Sequence, residues 1–480
     1  MSRHWEMVVG LEVHVQLLTR TKLFCNCSTQ FGAPPNANTC PVCLALPGTL
    51  PVLNEQAVRL AARAAFALGC DVYAESIFAR KNYFYPDLPK GYQISQFDRP
   101  LATNGRLALE DGTEPRYVRI HRVHMEEDAG KSIHDRYPGA TAIDLNRSGT
   151  PLIEIVSEPD LRSAADTGAY LRRLKQILEY LEVSDANMEE GSLRVDANIS
   201  IRESGQSVLG TKTEIKNMNS FSGVERALEA EYRRQMDLLE RGERIVQETL
   251  LWDAHRQEVR PARSKEESHD YRYFPEPDLR PLRLTREWLA EVRSGLPELP
   301  GSRRSRFVDA LGLPPYDAEV LTGSRDLADY YEEVASAHGD AKGAANWVMG
   351  EVQARLNDAG IEITDCPVAP RQLAGLLDLV RAGAVSNSAA KMIFARMFDS
   401  GEDAAVIADR EGLRQVGDDG QLVAWIDQVL AANPEEARRF AAGEKKLLGV
   451  LVGLVMKASG GKADPKKVNR LLSERVPSVG

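Results

Sequence analysis

Val8-Val9-Gly10-Leu11-Glu12-Val13-His14-Val15-Gln16-Leu17 is the stretch from which the rest of the chain is read. Val9, Leu11, Val13, Val15 and Leu17 alternate with Gly10, Glu12, His14 and Gln16, and this period of two predicts a β-strand. Successive side chains of a strand point to opposite faces, so Glu12, His14 and Gln16 form one row opposite an apolar row. A carboxylate and an imidazole two residues apart are spaced to hold a metal ion or to handle protons. The strand by itself reads rather as a half-buried element with one wet face than as a site. What favours chemistry is the number of later segments that bring further carboxylates to similar strands.

Outward from this strand, 480 residues exceed what one core organises, so two or three domains are expected. Short strand patterns alternate with Gly-, Pro- and Asn-rich turns to about residue 160. Helices are predicted over 54–68, 166–181 and 222–241, and strands over 192–202 and 212–216. Prolines crowd residues 275–300, and beyond them strand patterns almost vanish. The expected fold class is α+β: a mixed or antiparallel-sheet body over 1–294, an all-α helical connector over 295–404 and a small helical tail over 405–480. No apolar run approaches the roughly 18 residues of a membrane helix. The N-terminal residues lack the apolar core of a secretion signal, and the protein reads as cytoplasmic without a membrane partner.

The net charge of −10 hides an asymmetry. From Arg438 onward ten basic residues face three acidic ones, so this segment carries +7 and the remainder −17. A basic tail on an acidic body suits a phosphate-rich partner reached at one end, although a solvated helical face has the same composition. Lys445, Lys446, Lys457, Lys462, Lys466 and Lys467 are its lysines.

Four of the six cysteines form two tight pairs, Cys25-Asn26-Cys27 and Cys40-Pro41-Val42-Cys43. Four sulfurs so spaced close a tetrahedral structural zinc site and staple an Asn/Pro/Gly-rich loop that has little else to hold it. Gly130-Lys131-Ser132 invites a phosphate-loop reading, but Met125 stands where that motif needs glycine. What remains there is Glu126, Glu127 and Asp128 beside a lysine. Glu154, inside the apolar Ile153-Glu154-Ile155-Val156, needs a cationic partner, either a basic side chain or a metal. Glu12, His14, Glu127, Glu154 and Asp196 give an oxygen-rich set with one imidazole, which suits Mg²⁺ better than zinc. The loop 78–96 packs aromatics with Arg80, Lys81 and Lys90, groups that bind phosphate or carboxylate oxygens.

Several of these segments carry a resemblance. Gly-Leu-Glu-Val-His at 10–14, the four-cysteine loop, Ala-Arg-Lys-Asn-Tyr-Phe-Tyr-Pro-Asp-Leu-Pro-Lys-Gly-Tyr-Gln at 79–93 and Glu-Glu-Asp-Ala-Gly-Lys at 126–131 stand in order. They are followed by Ser-Leu-Arg-Val-Asp-Ala-Asn at 192–198 and His-Asp-Tyr-Arg-Tyr-Phe-Pro-Glu-Pro-Asp-Leu at 269–279. Nearly end to end, the chain resembles the B subunits of aspartyl/glutamyl-tRNA(Asn/Gln) amidotransferases. The resemblance implies a catalytic cradle in the body and a tRNA-binding tail. The implied reaction is phosphorylation by ATP of the side-chain carboxylate of misacylated Glu-tRNA(Gln) or Asp-tRNA(Asn). Amidation follows with ammonia channelled from the amidase-type glutaminase, the A subunit, and the small C subunit completes a heterotrimer. It also implies Glu12, His14, Glu127 and Glu154 as the Mg²⁺ set, the choice of Glu127 over Glu126 coming from the family's pattern. Asp196 is implied as a weaker candidate beside that set, Lys81 and Lys90 at the phosphoryl site or the ammonia exit, and Cys25, Cys27, Cys40 and Cys43 at a structural Zn²⁺. The alternative reading is a non-catalytic, zinc-stapled RNA-binding protein.

Overall fold

The computed structural model describes residues 4–109, 116–133, 138–262, 271–415 and 418–475. Of the motif at 269–279, His269 and Asp270 lie outside the described residues. The chain divides into two compact units, Met1–Pro300 and Gly301–Gly480. The α+β reading holds, with a sheet-rich first unit and a helical second one.

The first unit is built on a nine-stranded sheet. Its strands, in chain order, are β1 (Trp5–Gln16), β2 (Asp71–Val72), β3 (Ala102–Leu109), β4 (Arg116–Glu127) and β5 (Pro151–Ser157). They continue with β6 (Leu193–Glu203), β7 (Thr213–Lys216), β8 (Thr249–Asp253) and β9 (Glu258–Pro261). The spatial order is β9-β8-β7-β6-β1-β5-β4-β3-β2, so the first strand read in the sequence is the central one. Every pairing is antiparallel except β7 with β8.

Three helices cover one face: α1 (Glu55–Ala67), α2 (Ala164–Tyr180) and α3 (Phe221–Glu240). Each begins on a side chain that accepts the orphan N–H groups of the first turn, Asn54, Ser163 and Ser220 respectively. Val9, Leu11, Val13 and Val15 of β1 are buried against this layer with Leu171, Leu174 and Leu178 of α2. Burial of the apolar row forces Glu12, His14 and Gln16 onto the opposite face, and that face carries the chemistry.

One irregularity decides what β4 contributes. Val118 and Ile120 are core residues, and so are Val123 and Met125, although the first pair is even-numbered and the second odd. The pairing with β5 shifts between Val156 and Ser157, which face Arg122 and Ile120. This bulge flips the alternation, so His124 and Glu126 leave the core face and join the row begun by His14.

The second unit holds two separate cores. One gathers Phe307, Tyr331, Leu373, Phe394 and Ile407, and the other Leu422, Ile426, Leu451, Val455 and Leu472. The helix Ala404–Arg410 packs into the first of these, so the change of core lies between Leu413 and Leu422, beyond residue 404. No helix among the described residues is long and apolar enough to cross a membrane.

Candidate functional site

Antiparallel register sets three side chains abreast. His14 on β1 faces Glu154 on β5, and Glu154 faces His124 on β4. His14 Nε2 lies 3.5 Å from Glu154 Oε2 and 3.8 Å from Glu126 Oε1. His14, Glu126 and Glu154 thus offer three ligand atoms within 4.8 Å of one another. One row along, Glu12, Asp196 and Glu214 form a second such group, with β6 and β7 supplying the last two.

Behind the first group stand two buried side chains. His124 Nε2 is 3.2 Å from Glu154 Oε2 and 3.8 Å from Glu126 Oε2, and Ser95 donates to Glu126 Oε2 at 3.1 Å. One oxygen of Glu126 is therefore held from behind, while the other faces His14. His124 Nδ1 is buried without a hydrogen-bond partner among the described residues, so the ring's contribution is directed at the carboxylates. Burial works against charge on all four groups, but mutual attraction prevails. His14 and His124 titrate above the usual imidazole range because Glu154 and Glu126 lie beside them. Glu126 and Glu154 titrate below the carboxylate range in return.

The two groups fit a divalent cation. Glu12 is pushed above the carboxylate range by burial and then by the negative charges of Glu154, Glu214 and Asp196. Such crowding is relieved by a bound cation, and a set of carboxylates with one imidazole suits magnesium. Lys216 already touches the second group, 2.8 Å from Asp196 and 3.1 Å from Glu214.

A small sheet of Ala79–Asn82, Tyr92–Ser95 and Phe274–Pro275 brings the lysines. The Lys81 ammonium lies 4.9 Å from the Tyr271 ring centre and 5.9 Å from that of Tyr83, and has no ion-pair partner among the described residues. Burial lowers its pKa, but Glu126, Tyr273 and Glu154 raise it more, so it stays charged. Lys90 is instead locked onto Glu127, which also accepts the Ile94 N–H at 3.0 Å.

The set expected from sequence, Glu12, His14, Glu127 and Glu154, therefore does not assemble as one. Glu126 takes the place expected of Glu127, because neighbours in a strand face opposite ways and the bulge in β4 puts the even-numbered residue on this face. Glu12 belongs to the second group together with Asp196. Glu214, Lys216, His124 and Ser95 were missed, although Thr213-Glu214-Ile215-Lys216 alternates visibly. Lys131–Ile133 is a strand, consistent with rejecting a phosphate loop there.

Cys25, Cys27, Cys40 and Cys43 converge, with sulfurs of Cys27 and Cys43 at 4.0 Å and of Cys40 and Cys43 at 3.9 Å. Tetrahedral Zn–S bonds of about 2.3 Å put sulfurs about 3.8 Å apart, so the donors fit zinc and leave no open position. Lys22 lies fully buried, 3.6 Å from Cys43 Sγ and 3.2 Å from the Leu145 carbonyl. The loop has more support than its composition suggests: Asn36 binds the 143–145 backbone and Asn146 donates to Pro34.

In the tail, Lys445, Lys446, Lys457, Lys462 and Lys466 are exposed and Lys467 is half-buried. Arg439, Arg470 and Arg475 are paired with Glu444, Asp419 and Asp427, whereas those five exposed lysines have no ion-pair partner among the described residues.

Residues 7–290 match the family described as the GatB/GatE catalytic domain, and residues 329–476 match the GatB domain. The chain is 54% identical to the B subunit of the aspartyl/glutamyl-tRNA(Asn/Gln) amidotransferase of Carboxydothermus hydrogenoformans, over 99% of this chain and 100% of the relative. It is 53% identical to the protein of the same name from Syntrophotalea carbinolica, over 99% of each. With that of Geobacter sulfurreducens the identity is 52%, over 98% of this chain and 99% of the relative.

Proposed function

The chain belongs to the B-subunit family of aspartyl/glutamyl-tRNA(Asn/Gln) amidotransferases, and on that premise we propose that its first unit activates and amidates the side-chain carboxylate of a misacylated tRNA. Amidotransferases of this family are glutamine-hydrolysing assemblies that act in protein biosynthesis, and a catalytic domain is present here. The match to that domain weighs against a purely RNA-binding role.

A carboxylate is a poor acyl donor, so ATP first converts it to an acyl phosphate, which ammonia then attacks to give the amide. The observation that carries this reading is the convergence of His14, Glu126 and Glu154 near Lys81, whose ammonium has no ion-pair partner among the described residues. His14, Glu126 and Glu154, with Glu12, Asp196 and Glu214 beside them, would hold magnesium, which would neutralise phosphate charge there. The Lys81 ammonium can meet phosphoryl oxygens, and the rings of Tyr83 and Tyr271 beside it would limit access of water, which would otherwise hydrolyse the intermediate. Asp196 and Lys216 fix the second group, and Lys90 with Glu127 forms a wall near the zinc loop. Ammonia comes from glutamine hydrolysed by the partner glutaminase, the A subunit, and the small C subunit completes the heterotrimer. Zinc in the four-cysteine loop is structural, and the tail lysines bind tRNA phosphates.

The test is amidation by the reconstituted heterotrimer, with ammonium chloride replacing glutamine so that only the chemistry of this chain is read. Glu154→Gln and Lys81→Ala should each lower the rate about a hundred-fold or more. Amidation within a few-fold of wild type in both would overturn the reading. Running it with Glu-tRNA(Gln) and Asp-tRNA(Asn) separately assigns the substrate.

A further inference from the structure

Lys22 is a buried lysine without a carboxylate. It is 1% exposed and has no ion-pair partner among the described residues. Its ammonium meets the Leu145 carbonyl at 3.2 Å and Cys43 Sγ at 3.6 Å. Glu127 and Asp278 line an adjoining cavity of about 100 Å³, but they are engaged by Lys90 and Arg80. A carbonyl carries no net charge, and an ammonium so enclosed needs an anion. That leaves the sulfur. The backbone holds the lysine in place there. Its N–H donates to the Cys27 carbonyl at 3.0 Å, so Lys22 belongs to the same turn as Cys25 and Cys27. Asn54 Nδ2 donates to the Lys22 carbonyl at 3.3 Å, and the Leu23 N–H donates to the Gly149 carbonyl at 2.8 Å.

The four sulfurs differ in their surroundings. Cys43 is buried, whereas Cys25, Cys27 and Cys40 are partly exposed. Four thiolates around one Zn²⁺ leave two negative charges in excess. Water shares in offsetting that excess at the three partly exposed sulfurs, but it does not reach the fourth. Cys43 Sγ instead accepts the Cys40 N–H at 3.1 Å and faces the Lys22 ammonium. We propose that Lys22 is the counter-ion of the zinc-bound thiolates, a positioning residue that acts through Cys43 to keep the metal in its loop. This rests on the zinc reading above and adds to it the residue that makes a doubly negative centre tolerable inside the protein. A lysine serving only to fill space would be replaced without loss by an apolar chain of equal length.

Zinc affinity of the full-length chain, read by competition with a chromophoric chelator, tests the proposal. Lys22→Met keeps the length of the side chain and removes its charge. Lys22→Arg keeps the charge, and the adjoining cavity takes its larger head. Lys22→Met should bind zinc about tenfold or more weakly, and Lys22→Arg within a few-fold of wild type. In the cobalt-substituted protein, the sulfur-to-metal charge-transfer band should move to lower energy in Lys22→Met alone, because a hydrogen bond to sulfur holds its lone pairs down. Unchanged zinc affinity in Lys22→Met, or equal loss in both variants, overturns the proposal. So does a melting temperature that Lys22→Met lowers equally with and without zinc, which is the mark of packing. If Lys22→Met does not fold, Lys22→Gln, which still donates to Leu145, is held to the same outcomes. Failure of the wild-type chain to bind zinc would instead strike the zinc reading itself.

Discussion

His124 touches two candidate ligands and is shielded from solvent, so it acts by fixing where Glu126 and Glu154 point. Replacing it with glutamine should weaken Mn²⁺ binding about ten- to a hundred-fold, measured by calorimetry, while the metal-free melting temperature moves little. Equal Mn²⁺ affinity in the variant would reduce His124 to packing. Glu126 and Glu127 make a sharper pair. Glu126→Gln should weaken Mn²⁺ binding, whereas Glu127→Gln should spare it and cost about 3 kcal/mol in urea unfolding, because Lys90 loses its partner in a largely buried setting. The reverse pattern would restore the assignment expected from sequence. The assignment to Glu126 was within reach of the residues themselves: Met125 is apolar, so alternation alone puts Glu126 and His124 together on the wet face. The bulge before them is what no short pattern announces, since it depends on pairing between β4 and β5.

At the scale of strands and loops, Asp128 clips the ends of three strands. It accepts from Gln16 at the end of β1 at 2.7 Å and from Arg194 at the start of β6 at 2.9 Å, and it follows directly on β4. Burial raises its pKa, but Arg194 and Arg147 lower it more, so it titrates below its usual range. A depressed folded-state pKa gives stability that is complete above the unfolded value of about 3.9 and is lost as pH falls through the folded one. Asp128→Asn should therefore lower stability at neutral pH and flatten its decline below about pH 4, read by urea unfolding across pH. An unchanged acid limb would show that the clip contributes nothing. The zinc loop gives a second test. A chelator should expose four thiols to a colorimetric thiol reagent and open residues 31–39 to protease, while the far-ultraviolet dichroism of the sheet persists. Strands and helices of the first unit were legible because their periods are clean and their caps are Asn or Ser. The cross-strand row of His14, Glu154 and His124 was not, because register alone joins His14 to residues more than a hundred positions away.

For the whole molecule, the division into Met1–Pro300 and Gly301–Gly480 predicts separable tasks. Ending the chain after Gln415 keeps the helix Ala404–Arg410 in its own core and removes only the last one. That truncation should weaken tRNA binding while leaving calorimetric ATP binding intact, and loss of both would contradict modularity. The last core carries its charge in an uneven way, with Arg439, Arg470 and Arg475 tied to carboxylates and five exposed lysines left over. Contacts of that kind draw their strength from small ions set free along the nucleic-acid backbone. If all five engage, affinity should fall with ionic strength on a double-logarithmic slope of about −4. Raising salt would then starve the enzyme of its macromolecular substrate, lifting the KM for tRNA while the turnover of what does bind holds steady.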